Sequence, residues 1–268
     1  MGCGYLPDAM PPAISLLTDF GLTDTYVGQM KAAILRVAPG VSLVDLTHAV
    51  PPQDVTGGAF LLWSAVEAFP EGSLHLAVVD PGVGSTRRAV AVRSRRGDVL
   101  VGPDNGLLVP ALEQLGGLDL AVELTAPEYW GPRQSRTFHG RDRFAPAVGH
   151  LAAGVALEKL GRALHHLERP FSFPLPHEED GCPVGEVLHV DTYGNLITNL
   201  PGAVLPTRFR VHIGNTVIEG APHAHYQVVA SGGLLALVGS AGLLEVSVRD
   251  GSAAAVLGVG RGARVRLE

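Results

Sequence analysis

The sequence contains little cysteine, no excess of basic residues and no long apolar run, and each shortage excludes a class of protein. The two cysteines, Cys3 and Cys182, lie outside any CxxC pattern, so we expect neither a disulfide framework nor a structural zinc site. The formal net charge of −6 argues against nucleic acid as the main partner, because binding phosphates requires clustered lysine and arginine. No apolar run reaches the roughly 18 residues that a transmembrane helix needs.

The first residues, MGCGYLPDAMPP, lack the charged and apolar regions of a signal peptide. We therefore expect a cytoplasmic protein whose N-terminus is frayed before Ile14. Hydrophobic residues make up 46% of the 268 positions, which is enough for one large domain or two smaller ones, each with its own core.

The first part of the chain alternates apolar strands with amphipathic helices. In the segment 25–37, for example, Val27, Met30, Ile34 and Val37 recur at steps of three and four residues, as on one face of a helix. The predicted strands cover residues 14–17, 41–46, 74–79, 89–92 and 99–101, and the predicted helices cover residues 25–37, 54–68 and 144–160. This alternation is typical of an α/β domain with a mostly parallel sheet that helices cover on both faces.

The pattern changes after about residue 169. Prolines punctuate the segment 170–182, and short runs with strand propensity follow it, separated by glycine and proline. These runs cover residues 185–190, 196–199, 208–213, 226–230, 234–238 and 243–248. We therefore predict an α/β domain over residues 13–169, a linker over 170–182, and a smaller all-β domain, a barrel or a sandwich, over 183–268.

Polar residues follow the predicted strands at four places in the α/β domain. Asp19 follows the first strand, Asp45 and His48 come at the end of the second, Asp80 follows the third and Asp104 the fifth. One such loop is ordinary turn chemistry, but the ligands of open α/β sheets bind beyond the carboxyl ends of the strands. Polar loops in register at several strands therefore predict a shared polar crevice.

Two of these loops contain residues suited to holding a substrate or a water molecule. Asp19, at a strand tip, is placed to accept both hydrogens of a ribose diol, whereas Asp24 is either a ligand or, like Thr23, a helix N-cap. Asp80 is followed seven residues later by Arg87, and the two side chains can meet across a hairpin and clamp a water molecule. The competing interpretation of this pair is a surface salt bridge of little energetic value.

Three further positions are ambiguous on residue type alone. His139 stands beside a glycine before a predicted helix, where it can be a base, a proton shuttle, a metal ligand or a structural residue, and Asp142 nearby can cap that helix. In the β domain, Asn195 belongs either to a plain hairpin turn or to a site where its amide reads a purine edge and Tyr193 stacks on the base. Ser240 lies in a glycine-rich turn that can also form a backbone nest for a carboxylate.

The sequence also resembles a known family. Five motifs occur in the same order as in the S-adenosylmethionine hydroxide adenosyltransferases, the water-using relatives of the bacterial fluorinase and chlorinase: TDFG-x-x-D, VVDPGVG, GPDNG, TFHGRDxFAP and DTYGNLITN. The resemblance covers nearly the whole chain from about Ile14, and the ordered set of motifs is far more specific than any one of them.

This resemblance implies an enzyme that hydrolyses S-adenosyl-L-methionine to adenosine and L-methionine, with water or hydroxide attacking the ribose C5′ carbon and with no metal or other cofactor. It also implies a homotrimer with active sites between subunits. The residues implied to position or deprotonate the water are Asp80, Arg87 and His139, where Arg88 is a neighbour that can be confused with Arg87. The residues implied to bind the substrate are Asp19 for the ribose hydroxyls, Asp24 and Asp191 for the methionine ammonium, Ser240 for the methionine carboxylate and Asn195 for adenine.

Three different functions stay open beside hydrolysis. A halide transferase of the same fold is disfavoured, because in the family pattern the halide-using branch has a non-acidic residue in place of Asp80 and does not keep the histidine found at His139. The chain also lacks an extra loop between Val92 and Gly102. The second is a non-catalytic protein that binds S-adenosylmethionine or adenosine, and the third is a metal hydrolase built on His139, Asp142 and Asp80.

Overall fold

The computed structural model describes residues 13–268, so the predictions about Cys3 and the frayed N-terminus lie outside the described residues. The chain divides into two compact units, one ending at Ser172 and the other covering Phe173–Glu268. Across residues 13–268, none of the helices combines the length and apolarity that crossing a bilayer requires.

A seven-stranded sheet forms the centre of the first unit. Its strands are β1 (Ile14–Thr18), β2 (Leu43–Thr47), β3 (Leu74–Val78), β4 (Ala89–Ser94), β5 (Val99–Pro103), β6 (Leu118–Glu123) and β7 (Arg162–Leu164). Their order across the sheet is β2-β1-β3-β5-β4-β6-β7. The pairs β1–β2, β1–β3 and β3–β5 are parallel, whereas β4–β5, β4–β6 and β6–β7 are antiparallel.

The prediction of a mostly parallel sheet is therefore wrong for half of the strand pairs. The turn between Ser94 and Val99 is all that joins β4 to β5. A connection this short returns the chain antiparallel, because a parallel return needs a crossover of roughly a dozen residues or more. The parallel half contains β1, β2 and β3, whose carboxyl ends meet at one edge of the sheet, and this edge carries Asp19, His48 and Asp80.

Within residues 13–172, four α-helices accompany this sheet: α1 (Tyr26–Val37), α2 (Val55–Val66), α3 (Val109–Gln114) and α4 (Ala145–Ala152). The buried face of α1 carries Val27, Met30 and Ile34, as their periodicity predicted. The predicted helix over 144–160 is wrong in extent. A π-helical turn over Gly140–Phe144 precedes α4, and Gly154, with a φ of +88°, ends it before residue 157.

The core of the first unit lies between the sheet and the helices and fixes the segment that follows His139. Leu16 and Leu76 from neighbouring strands are fully buried there, and so is Phe144 at the end of the π-helical turn. Burying a side chain of this size contributes about 1.5–3 kcal/mol. Because Phe144 is anchored in the core, the turn that begins beside His139 is held against the carboxyl edge of the sheet.

The second unit is a nearly closed antiparallel sheet. Its strands are β8 (His177–Glu179), β9 (Cys182–Val190), β10 (Leu196–Pro201), β11 (Phe209–Ile213), β12 (Thr216–Ala221), β13 (Leu234–Val238), β14 (Leu243–Val248) and β15 (Arg264–Leu267). They run in the order β12-β11-β15-β9-β10-β14-β13, with β8 paired to β9. A bridge between His223 and Leu237 brings the segment after β12 against β13, and a short helix, α5 (Ala253–Leu257), follows β14.

The predicted strand over 226–230 is wrong. Residues Tyr226–Val228 form a 3₁₀ turn, and the side chains of Tyr226 and Val228 are 43% and 46% exposed. Aromatic and β-branched residues favour strands only where a neighbouring strand packs against them. The next strand along the chain, β13, pairs with β14 rather than with this segment. Five strands were not predicted: β6 and β7 in the first unit and β8, β12 and β15 in the second.

Candidate active site

Asp80, Arg87 and His139 form one hydrogen-bonded cluster in the first unit. Arg87 Nε donates to Asp80 Oδ1 at 2.8 Å, and Arg87 Nη2 donates to Asp80 Oδ2. The same Nη2 lies 3.0 Å from His139 Nδ1. The side chains of Arg87 and Asp80 are only 10% and 6% exposed, so this two-point ion pair is largely shielded from water.

The loop between β3 and β4 brings Asp80 and Arg87 together, and a glycine seats this loop against the segment before His139. Asp80 comes just after β3, and Arg87 just before β4. Gly84 has a φ of +80°, and a Cβ at this position would overlap the carbonyl oxygen of Arg136. Glycine is therefore required both for the backbone conformation and for the close approach.

The surroundings of His139 favour a neutral imidazole. Burial, and then the positive charges of Arg143 and Arg87, lower the pKa of His139 from its ordinary value of 6.5. Since a guanidinium only donates hydrogen bonds, Nδ1 of His139 accepts from Arg87. The proton of the neutral ring is then on Nε2. Arg143 itself stacks over the ring of Trp130, 4.5 Å from its centroid.

Arg88 has a different set of partners from Arg87. Its guanidinium pairs with Asp104 at 2.5 Å and with Glu168 at 3.3 Å. The other oxygen of Asp104 accepts the backbone N–H of Glu168 at 2.9 Å. Of the two adjacent arginines, the structure therefore brings Arg87 to Asp80 and His139, and uses Arg88 to hold the segment around residue 168.

A cleft of about 280 Å³ opens beside this cluster. Its lining includes Asp19, Phe20, Gln53, Asp80, Phe138 and His139. Asp19 Oδ2 accepts the backbone N–H of Gln53 at 2.8 Å, and Asp19 Oδ1 has no partner within residues 13–268. The rings of Phe20 and Phe138 meet edge to face with centroids 5.7 Å apart.

Gln53 is a residue of this cleft that sequence reasoning missed. Its φ of +67° is uncommon for a residue with a side chain, and such strain is often kept at functional sites. Asp54, the next residue, caps α2 by accepting the backbone N–H of Gly57 at 3.0 Å. The run Pro51-Pro52 directly before Gln53 is the only sequence signal of an unusual turn.

The interpretations of Asp24 and Asp142 as helix N-caps are wrong. The N-cap of α1 is Thr25, with no side-chain hydrogen bond, so neither Thr23 nor Asp24 caps this helix. Asp24 is exposed in the loop before it. Asp142 lies inside the π-helical turn rather than at a helix N-cap, and accepts from Arg141 Nε at 2.7 Å and from the backbone N–H of Ser135 at 2.8 Å.

No group of three or more His, Cys, Asp and Glu side chains is placed to hold a metal ion anywhere in the part of the chain that the structure describes. A cavity of about 470 Å³ also lies in the first unit, beside α1 and the segment 130–133. None of Asp19, Asp80, Arg87 and His139 lines it.

The predicted substrate residues of the β domain lie in two turns of the second unit. Between β9 and β10, Asp191 Oδ1 accepts the backbone N–H groups of Tyr193 and Asn195 at 2.9 Å, and Asp191 Oδ2 accepts from Asn195 Nδ2 at 2.9 Å. Asn195, Tyr193 and Tyr226 line a cleft of about 900 Å³. Ser240 is exposed in the turn between β13 and β14, so it lies in a different turn from Asp191 and Asn195.

Comparisons with known proteins agree with the motifs. A model of the SAM hydroxide adenosyltransferase N-terminal domain matches residues 14–161, and a model of the C-terminal domain matches residues 185–266. The chain is 44% identical to an (R)-S-adenosyl-L-methionine hydrolase of Salinispora arenicola, covering 97% of this chain and 98% of that protein. It is 43% identical to an (R)-S-adenosyl-L-methionine hydrolase of Thermus thermophilus, covering 95% and 98%.

More distant relatives include a fluorinase of Nocardia brasiliensis, 33% identical over 70% of this chain and 71% of that protein. The crystal structure of an uncharacterized conserved protein from Thermotoga maritima superposes with a TM-score of 0.89 at 36% identity, covering 95% of this chain and 99% of the other. The chain therefore belongs to the SAM hydroxide adenosyltransferase family, and the family resemblance inferred from the motifs is confirmed.

Proposed function

We propose that this protein hydrolyses S-adenosyl-L-methionine to adenosine and L-methionine. Relatives that match nearly the whole chain at 43–44% identity are named (R)-S-adenosyl-L-methionine hydrolases. The observation that carries the proposal is the hydrogen-bonded cluster of Asp80, Arg87 and His139 beside a cleft that also contains Asp19.

The reaction is a substitution at the C5′ carbon of the ribose. A bond forms between the oxygen of water and C5′, the bond between C5′ and sulfur breaks, and its electron pair goes to sulfur. The positively charged sulfonium becomes the neutral thioether of methionine, and one proton of the water is released. Because a sulfonium is already a good leaving group, the enzyme needs mainly to align the water, which lowers the barrier by several kcal/mol.

The cluster divides the work on the water between its members. Nε2 of a neutral His139 carries a proton and acts as a hydrogen-bond donor to the oxygen of the water. The carboxylate of Asp80 keeps free lone pairs after accepting from Arg87, so we assign the departing proton to Asp80. Arg87 fixes both partners and does not itself exchange a proton, because a guanidinium is always protonated.

The proposal extends to the substrate contacts and the assembly that the family resemblance implies. The α/β domain over residues 13–169 supplies Asp80, Arg87 and His139 for the water, Asp19 for the ribose hydroxyls and Asp24 for the methionine ammonium. A linker covers 170–182. The β domain over 183–268 supplies Asp191 for the ammonium, Ser240 for the carboxylate and Asn195 for adenine. We also propose a homotrimer with shared sites, a cytoplasmic location and catalysis without a cofactor.

Halide transfer is the second candidate, because relatives at 32–33% identity are named fluorinases. The two functions give different products from the same substrate. Chelator-treated protein is incubated with S-adenosylmethionine in excess chloride or fluoride, and the products are separated by chromatography. Adenosine as the product in every salt supports hydrolysis, and a 5′-halo-5′-deoxyadenosine supports transfer. Binding of the substrate without turnover would instead indicate a sensor.

A further inference from the structure

A second histidine, His48, is buried next to the loop that carries Asp19. It does not belong to the cluster of Asp80, Arg87 and His139. It is only 4% exposed. Its Nδ1 lies 2.8 Å from Thr18 Oγ1, and its Nε2 lies 3.1 Å from Asp45 Oδ1. Its backbone carbonyl accepts the N–H of Gly21 at 2.8 Å. The contacts with Thr18 and Gly21 join β1 and the loop after it to the end of β2.

The chemistry of these groups fixes the direction of the hydrogen bond between His48 and Asp45. Asp45 is held by Lys31 at 2.6 Å, and an ionised carboxylate only accepts, so Nε2 of His48 carries a proton. The backbone N–H of Phe20 donates to Thr18 Oγ1 at 3.2 Å, and the same hydroxyl lies 2.8 Å from Nδ1 of His48. Both ring nitrogens of His48 therefore have a hydrogen-bond partner.

This network surrounds Asp19 without touching its carboxylate. Thr18, Phe20 and Gly21 flank Asp19 in the sequence, and each is bonded to His48 or to the Thr18 hydroxyl that His48 orients. Within residues 13–268, the carboxylate of Asp19 itself has a single partner, the N–H of Gln53. The direction in which Asp19 points is thus set by the backbone around it, and that backbone is held by a buried network whose bonds strengthen one another in a medium of low dielectric constant.

We propose that His48 is a positioning residue that, through Thr18, aims the Asp19 carboxylate at the ribose hydroxyls and so sets the selectivity of this protein for ribose over 2′-deoxyribose. This inference rests on the role given to Asp19 in the proposed function. A carboxylate built to accept from two hydroxyls discriminates against a ligand that lacks one only if it cannot shift to find another partner. Holding the loop rigid supplies that condition.

The test compares the binding of adenosine with that of 2′-deoxyadenosine, which needs no turnover. The full-length protein and its Thr18→Val, Thr18→Ser and Asp19→Asn variants are titrated with both nucleosides by calorimetry. Valine has nearly the shape of threonine but removes the hydroxyl, whereas serine keeps it. Thermal unfolding of each variant is measured alongside, and His48→Asn serves as a second variant if Thr18→Val does not fold.

The unaltered protein is expected to prefer adenosine by about tenfold or more, and Asp19→Asn is expected to abolish most of this preference. Thr18→Val, or His48→Asn, should reduce the preference at least about threefold, and Thr18→Ser should restore it. Equal weakening of both nucleosides by Thr18→Val, with the preference intact, would overturn the inference and leave only a structural role for the network.

The control on Asp19 separates the inference from the proposed function. If Asp19→Asn keeps the full preference for adenosine, the role of Asp19 is wrong and the inference falls with it. If Asp19→Asn removes the preference but Thr18→Val and His48→Asn do not, only the inference is overturned. Failure of the unaltered protein to release adenosine from S-adenosylmethionine is a separate result, which contradicts hydrolysis and leaves the binding comparison valid.

Discussion

Arg87 donates to both carboxylate oxygens of Asp80, through Nε and through Nη2, although seven residues separate the two positions. Because Nη2 also reaches His139 Nδ1, the guanidinium orients the two other members of the cluster at once. A planar, forked donor is needed for this arrangement, and a point charge such as an ammonium cannot replace it.

Substituting Arg87 by lysine tests this requirement. Arg87→Lys keeps the charge but loses the two-point contact, and we expect kcat to fall by about 100-fold or more, because a misplaced reacting group costs about this much. The matched control is Arg88→Lys, in the arginine that pairs with Asp104 and Glu168 instead. Steady-state kinetics should show a small effect for the control. Similar losses in both variants would contradict the special role of Arg87.

The acid side of the pH profile tests the state of His139. Burial, and then the charges of Arg143 and Arg87, lower the pKa of His139, so the ring stays neutral on moving below pH 6.5, and activity should be lost only at a lower pH. Protonation would place a hydrogen on Nδ1 facing Arg87. We therefore expect the acid limb of kcat/KM to lie below the ordinary histidine pKa of 6.5.

Removing the charge of Arg143 should move this limb toward higher pH. Of the two positive charges that lower the pKa of His139, the charge of Arg143 has the larger effect, and Arg143→Met removes it. Arg133→Met, at an exposed arginine that does not contribute to this shift, is the matched control. An acid limb that stays in place in Arg143→Met, or shifts equally in both variants, would show that His139 does not control it.

Gly84 is predicted to be essential for the approach of the Asp80 loop to the segment before His139. Gly84→Ala adds a Cβ that would overlap the Arg136 carbonyl, and Gly72→Ala adds one to a glycine of similar φ with nothing within 4 Å. The left-handed backbone should lower the free energy of unfolding by about 1–2 kcal/mol in each variant, and the overlap with the Arg136 carbonyl should add a further loss in Gly84→Ala. Only Gly84→Ala should also lower kcat/KM, by about tenfold or more. Chemical denaturation and kinetics on the pair separate the two effects.

The stability of the first unit at acidic pH depends on Asp98, which is fully buried. Burial raises its pKa, but hydrogen bonds from Arg96 and His75 outweigh burial and lower it well below 3.8. Because the pKa of Asp98 is lowered in the folded protein, the stabilisation by its carboxylate is complete above its pKa in the unfolded chain, about 3.8. This stabilisation is lost as the pH falls from there toward the folded pKa. Asp98→Asn should flatten this loss in acid denaturation. Asp119→Asn, at a half-exposed carboxylate, should not.

Sequence reasoning singled out Asp80, Arg87 and His139, which the structure joins by hydrogen bonds, because they lie in motifs rich in polar residues. Asp80 and Arg87 are close in the sequence, and His139 was added by the family resemblance. Gln53 was missed because it acts through its backbone N–H and a strained φ, neither of which its residue type reveals. His48 was noticed at a strand end, but its contacts with Thr18 and Gly21 depend on the pairing of β1 with β2.

The fold was predictable where local patterns determine it and less so where tertiary pairing does. The strands β1, β2 and β3 and the buried face of α1 follow from apolar runs and helical periodicity. The direction of β4 depends on the length of one turn, and the segment Tyr226–Val228 depends on whether a neighbouring strand is available. Composition alone contains neither piece of information.

The most direct test of the account follows the oxygen of the attacking water. Purified protein and its Asp80→Asn variant are incubated with S-adenosylmethionine in ¹⁸O-labelled water, and the adenosine is analysed by mass spectrometry. The account predicts adenosine with ¹⁸O at the 5′ position from the unaltered protein and a large loss of rate in the variant. Unlabelled adenosine, or labelled adenosine formed equally fast by the variant, would contradict direct attack by a water that Asp80 positions.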